Sequence, residues 1–299
     1  MILAGDVGAT KILLEVGESR SGKWQPALAR RFATADAENF DAVLTAFLGE
    51  WNGVRAKAQR ITAAGFGVAG PVQGNKVKMT HRPLVVDGAA IESRFLIPKV
   101  RVVNDLAAGA RGLDLLGPRD FATVQAGKAA PGEARVVMGV GTGLGIAYLV
   151  PDSNGAYVVV PGEGGHAGFA PSTPRQLDLW RQIFAAQGRV CAEDIVSGTG
   201  LHRLQALLNG DQAQAIDLLM ECMGNVAGDH ALAVMARGGV FLTGGVIAGH
   251  YGKIADSRFS EAFCAKGALC ATLMKIPVRA VTSERVVLLG AATLVHHLR

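Results

Sequence analysis

Apolar residues come in short runs that end on glycine turns, and the same arrangement opens each half of the chain. Ile2-Leu3-Ala4 predicts a buried strand, Gly5-Asp6-Val7-Gly8-Ala9-Thr10 a turn, and residues 12–16 a second strand: a hairpin with a polar tip. The arrangement returns at Val136-Val137-Met138, then Gly139-Val140-Gly141-Thr142-Gly143-Leu144-Gly145, then residues 146–150. A strand, glycine turn and strand repeated near the start of each half predicts a duplicated domain whose two turns face each other across a cleft.

Helical spacing of apolar residues marks 40–51, while 60–68 and 100–103 read as strands and Gly74-Asn75 as a turn between short strands. Asn104-Asp105 closes the 100–103 strand, and a helix is expected over 106–116. The second half is more helical, with candidates over 175–187, 198–208 and 212–236, strands at Val240-Phe241-Leu242 and 278–281, and a closing helix over 286–298. Strands and helices mix throughout, the mark of an α/β protein. Gly112, Gly117 and Pro118 punctuate the middle. The expected division is a small domain of residues 1–110 completed by the C-terminal helix 286–299, and a large domain of 111–285.

Composition narrows the function classes. At 299 residues, 49% hydrophobic and 18% charged, the chain has enough apolar side chain for two packed cores and is not disordered. Its longest uncharged run, 136–150, holds four glycines and falls short of the roughly 20 residues a spanning helix needs, so no membrane segment is expected. Asp6 interrupts the first apolar stretch, so no secretory signal is expected either. Cys191, Cys222, Cys264 and Cys270 form neither a Cys-x-x-Cys pair nor a Cys/His cluster, which fits a reduced cytoplasm without structural zinc. The net charge of +5 suits an anionic substrate, but Lys and Arg are dispersed and not interleaved with aromatics, so no nucleic-acid partner is expected.

One glycine motif is a decoy. Gly65-Phe66-Gly67-Val68-Ala69-Gly70 has dinucleotide-fingerprint spacing with Asp87 further on, but Pro71 and Gly74-Asn75 lead into short strands instead of the helix that such a loop must open. No Gly-x-x-x-x-Gly-Lys-Ser/Thr run exists. Phosphates can instead be held by backbone N–H groups in tight hairpins, where glycine allows close approach. Gly8 with Thr10, and Gly141-Thr142-Gly143, suit that task, and the Asp6 carboxylate suits a Mg²⁺ held through water. Ordinary turn geometry accounts better for each turn taken alone. The pairing favours the phosphate reading.

Six pieces of sequence, in order, resemble the bacterial glucokinases of the hexokinase, actin and Hsp70 superfamily. They are GDVGAT at residue 5, VVNDLAAGA at 102, GVGTGLGIAYLV at 139, PGEGGHAGFAP at 161, EDIVSGTGL at 193 and FLTGGV at 241. The resemblance spans nearly the whole chain, and residues 161–171 are its most specific part. It implies a two-domain actin-like ATPase (ribonuclease H-like) fold with a central cleft, and an ATP-dependent hexose kinase acting on the 6-hydroxyl of glucose. It implies Asp105 as general base, with Asn104, Glu163, His166 and Glu193 on sugar hydroxyls. Asp6, Gly8, Ala9, Thr10, Gly141, Thr142 and Gly143 fall at the phosphates, and Gly244 and Gly245 at the adenosine. ATP and Mg²⁺, a cytoplasmic location and a homodimer are further expectations of the resemblance.

General chemistry agrees with these positions. Phosphoryl transfer to a hydroxyl needs alignment, charge neutralisation and a carboxylate to take the proton. Asp105 stands between strand and helix, where either it or Asn104 also suits a helix N-cap. Carboxylates and amides suit bridging of neighbouring hydroxyls. Glu163 and His166, separated by Gly164-Gly165, lack a third partner for a metal.

The chain departs from the family at Ala9 and Lys11, where a second glycine and an asparagine are usual. It also departs at His81 and Leu84, where asparagine and tryptophan are usual. The last two bear on the choice of sugar. They keep two alternatives in view: a sugar or nucleotide sensor that has lost turnover, and a kinase for a different hexose. The related repressor-and-kinase family is disfavoured, because its cysteine-rich zinc motif has no counterpart here.

Overall fold

The computed structural model describes every residue except 22, 57–58, 80–81 and 296–299. It divides into two compact units, residues 1–117 with 283–299, and residues 118–282.

The first unit is built on β1 (Ile2–Val7), β2 (Lys11–Arg20), β3 (Lys23–Ala33), β4 (Ala63–Val68) and β8 (Val100–Asn104), in the order β3-β2-β1-β4-β8. The β1-β2-β3 meander is antiparallel, whereas β4 and β8 run parallel to β1. Every residue of β1 and β4 is buried, as expected of central strands covered on both faces. One face packs on α1 (Phe40–Val54), where Phe40, Leu44, Phe47 and Trp51 meet Leu3, Ile12 and Phe66. Phe40 stands edge-on to Phe66 with centroids 5.3 Å apart, so truncating either ring to alanine costs about 3–5 kcal/mol. A small sheet of β5 (Val72–Gln73), β6 (Lys76–Lys78) and β7 (Val85–Asp87) leads into α2 (Gly88–Phe95).

The other face is covered by α3 (Asp105–Gly112) and a C-terminal helix, Val286–Thr293. These helices approach so closely that only glycine fits at the contacts. A methyl on Gly112 would meet the Val286 carbonyl, one on Gly290 the Ala108 carbonyl, and one on Gly65 of β4 the Ala291 carbonyl. The glycines of the dinucleotide-like stretch are thereby explained, since Gly65 and Gly67 lie inside β4 and face helices. The expected helix over 106–116 stops at Gly112 and continues as a 3-10 turn, Leu113–Leu115.

The second unit repeats the scheme. Its sheet runs β12 (Tyr157–Gly162), β11 (Leu144–Pro151), β10 (Arg135–Val140), β13 (Gly239–Thr243), β14 (Val278–Val281) and β9 (Phe121–Gln125). Again an antiparallel three-strand meander is continued by parallel strands, here β13 and β14 beside β10. Five helices follow the strands: α4 (Pro174–Gln187), α5 (Gly198–Leu207), α6 (Gln212–Ala233), α7 (Gly245–Ile254) and α8 (Phe259–Cys264), with the short α9 (Cys270–Leu273); the C-terminal helix of the first unit is α10. Helix α6 is buried without interruption from Met220 to Gly228. Among the described residues, no helix is long and apolar enough to cross a membrane.

Candidate active site

In the first unit the site grows from the C-terminal ends of parallel strands. Asp6 is the penultimate residue of β1, in register with Gly67 of β4, and Val68 of β4 pairs with Asn104 of β8. Asp6 is only 7% exposed, yet its carboxylate has no hydrogen-bond partner among the described residues. Burial, and then the charge of Asp105, push its pKa up to about 7, against the pull of Lys11.

The N-cap question at α3 is resolved in favour of Asn104. Its Oδ1 accepts from the N–H groups of Leu106 and Ala107 at 3.0 and 3.2 Å, and its Nδ2 donates to the Gly70 carbonyl at 3.3 Å. Asp105 is the first helical residue, and one of its oxygens accepts from the Leu106 N–H at 2.8 Å. Burial raises its pKa, while that same N–H opposes the rise. A half-buried carboxylate with a raised pKa, spared the capping task, is equipped to take a proton.

The turn between β1 and β2 is closed by Gly8 N–H on the Lys11 carbonyl at 2.9 Å and clamped by Thr34, whose hydroxyl donates to the Gly8 carbonyl at 2.8 Å. The N–H groups of Ala9 and Thr10 have no acceptor among the described residues. Arg82 reaches the same turn, its Nε donating to the Ala9 carbonyl at 3.1 Å. Lys11 is neutralised locally: its Nζ lies 3.1 Å from Glu284, which also pairs with Arg31 at 2.8 Å. Leu84 is a core residue, 2% exposed among apolar neighbours. His81 lies outside the described residues.

The β10-β11 turn of the second unit has the same construction. Gly141 N–H bonds the Gly143 carbonyl at 2.9 Å, while the N–H groups of Thr142 and Gly143 have no acceptor among the described residues. The start of α5 holds the turn, Gly198 N–H on the Gly141 carbonyl at 2.7 Å and the Thr199 hydroxyl on the Thr142 carbonyl at 3.1 Å. Free paired N–H groups at both tips are what an anion takes up.

Glu193 joins this turn to residues 161–171. Its Oε2 accepts from the Leu144 N–H at 2.7 Å, and its own N–H donates to the Gly165 carbonyl at 2.8 Å. Glu163 precedes a 3-10 turn, Gly164–His166, that ends on His166, and both residues are exposed. Gly165 is pinned against β11, where a methyl would strike the Leu144 carbonyl. Gly244, with φ of 103°, is required by the backbone between β13 and α7, and a side chain there would meet Val140. Gly245, the first residue of α7, has open space beside it, so the packing of this unit does not require glycine there.

Thr34, Arg82, Thr199, Tyr148 and His230 were not selected from the sequence. Each bonds a partner far away in the chain, and such links leave no local pattern. Ser197-Gly198-Thr199-Gly200 alone carried a signal, as a capped, glycine-containing helix start.

The glucokinase family model matches residues 3–215 and 205–298. A glucokinase of Marinobacter nauticus is 33% identical over 97% of this chain and 95% of its own length, and one of Mesorhizobium japonicum 31% over 97% and 90%. A crystal structure of glucokinase from an Antarctic psychrotroph aligns with a TM-score of 0.84 at 26% identity, covering 99% of this chain and 98% of that one. With its duplicated sheets, paired glycine turns and carboxylates at strand ends, the chain has the α/β actin-like ATPase fold and belongs to the glucokinase family.

Proposed function

We propose that this protein transfers the γ-phosphoryl group of ATP to the 6-hydroxyl of glucose, with Asp105 as the base. The observation that carries the assignment is Asp105 itself: at a strand end, with a raised pKa, and freed from capping by Asn104. Asp105 takes the hydroxyl proton as the oxygen bonds to the γ-phosphorus, and the bond from that phosphorus to the bridging oxygen breaks, with ADP leaving and carrying the charge. In the proposal, the free N–H groups of Ala9, Thr10, Thr142 and Gly143 bind phosphate oxygens, and those on the transferred group develop charge during the step. Glu163, His166 and the remaining oxygen of Glu193 orient sugar hydroxyls, and the Asn104 amide holds the backbone that presents Asp105. Gly244 and Gly245 border the adenosine.

Asp6 fits Mg²⁺, since a nearly buried carboxylate without a protein partner, held near neutrality by burial and by Asp105, gains from a cation. When bound, Mg²⁺ neutralises phosphate charge. Among the described residues no cluster of three or more His, Cys, Asp or Glu could hold a metal unaided, which suits an ion that arrives with the nucleotide. A cytoplasmic homodimer is the form the family resemblance implies, and sedimentation of the purified protein tests the dimer.

The decisive assay supplies MgATP and a panel of hexoses and amino sugars and follows ADP release. Glucose should be turned over best. Asp105→Ala should lower kcat by about 10²–10⁴-fold while leaving glucose binding within a few-fold. Full turnover by that variant would remove Asp105 as the base.

A further inference from the structure

The segment 161–171 is held on one side by β11 and by the backbone of residues 190–193. Behind it lies a cavity of about 290 Å³ lined by Gly164, Ala167, Phe169, Tyr148, Val226 and His230, so on this side packing alone does not fix the turn. A polar link borders the space. The Tyr148 hydroxyl of β11 and Nδ1 of His230 on α6 are 2.7 Å apart, and the other side of the His230 ring lies against Gly164. The ring is so near that a methyl on Gly164 would come within 2.8 Å of its Cε1. Further along the segment, α6 makes a second attachment, with Asn225 Nδ2 donating to the Ala170 carbonyl at 2.8 Å.

We propose that Tyr148 and His230 are positioning residues that set the Glu163–His166 turn against the sugar. Gly164 follows Glu163 directly, so the ring packed against it sets where the Glu163 carboxylate begins. Strand β11 emerges from the Gly141–Gly143 turn, so Tyr148 also ties the sugar segment to the strand that carries the second phosphate turn. The chemistry of the pair agrees. Burial lowers the His230 pKa, with Asp229, itself paired with Lys266 at 2.6 Å, opposing the fall, and burial raises that of Tyr148. A neutral ring accepts the Tyr148 proton on Nδ1 and keeps its other edge against Gly164.

This inference rests on the sugar reading of Glu163 and His166, and the experiment separates the two. Wild-type turnover of the hexose panel judges the reading; the ratio of variant to wild-type KM for the best hexose judges the inference. Tyr148→Phe should raise the hexose KM by about 3–10-fold and His230→Ala by about 5–30-fold, with kcat and the KM for MgATP within two-fold, the mark of lost uniform binding. The double variant should be little worse than His230→Ala alone, because both act through one link. His230→Asn, which keeps a donor and an acceptor, should recover part of the loss. An unchanged hexose KM in Tyr148→Phe, which removes one oxygen and is the variant most certain to fold, overturns the proposal. So does a loss of kcat and both KM values together that tracks a lower melting temperature.

Discussion

Asp6 and Asp105 are raised in pKa by the same physical cause, burial at strand ends, and the consequence for stability can be worked out for Asp6. Its folded value of about 7 lies above the ordinary 3.8. Between these values the native state keeps a proton that the unfolded chain has lost. The stability linked to Asp6 is therefore fully present below pH 3.8 and falls as pH rises towards 7. Asp6→Asn should abolish that slope. At pH 8, without nucleotide or Mg²⁺, the variant should be more stable than the wild type by on the order of 2–4 kcal/mol, since each pKa unit is worth about 1.4 kcal/mol. At pH 4 the two should nearly coincide. Urea melts at both pH values read the difference, and equal stability at pH 8 would show that Asp6 is solvated as an ordinary carboxylate. The same variant should lose most MgATP turnover, so a gain in stability with a loss of activity would mark Asp6 as a residue kept for function.

At the scale of elements, α3 presents Asp105 only because α10 lets it lie so close to the sheet. Gly65→Ala would drive a methyl into the Ala291 carbonyl and force α10 outward, so a loss of at least ~2 kcal/mol is expected. Its nucleotide affinity per folded molecule should be unchanged, whereas a dinucleotide-binding role for residues 65–70 requires affinity to fall; calorimetry decides. Asn104→Ala removes the cap and should cost about 1 kcal/mol. It should also lower kcat by releasing the turn that aims Asp105. What was legible in the sequence follows the same logic. Strands β1, β4 and β10 were legible as short runs of apolar residues, though β1 runs on to Val7 and β10 to Val140, inside the expected turns, and helices α1 and α4 by their helical spacing; the turn glycines and Asp105 were legible because backbone or chemistry demands a residue type. Strand β3 was not, since it lies at the sheet edge with only Leu28 buried, and β12 is exposed for the same reason. Helix α6 ends at Ala233, three residues before the expected 236. The clamps on the turns were illegible because Thr34, Glu193 and His230 reach partners 26, 49 and 82 positions or so away, and a side chain bonding a distant backbone or ring leaves no spacing to read.

For the molecule as a whole, the first unit is made of two separated stretches of chain, 1–117 and 283–299, while the second is continuous. The two therefore depend differently on the C-terminus. Helix α10 covers β1 and β4 and closes on α3 through Gly65, Gly112 and Gly290, and Leu288 and Ala292 form a small apolar cluster with Ala4. Glu284 and Arg285, just before it, hold charges of the same sheet: Glu284 pairs with Lys11 and Arg31, and Arg285 makes two hydrogen bonds to the nearly buried Glu15, at 3.0 and 2.8 Å. Ending the chain at Thr282 would expose one face of the first sheet and leave Glu15 buried without its cation, a penalty of several kcal/mol. The second unit would lose none of its own core, whose residues all fall between Val124 and Ala280. The shortened protein should thus become protease-labile throughout 1–117 while a resistant fragment spanning about 118–282 persists. It should bind neither glucose nor MgATP productively, because Asp6 and Asp105 lie in the unit that is lost. Limited proteolysis followed by mass spectrometry reads the outcome. Equal lability of both units would mean that the second needs the first in order to fold, and that the repeated sheets are not independent cores.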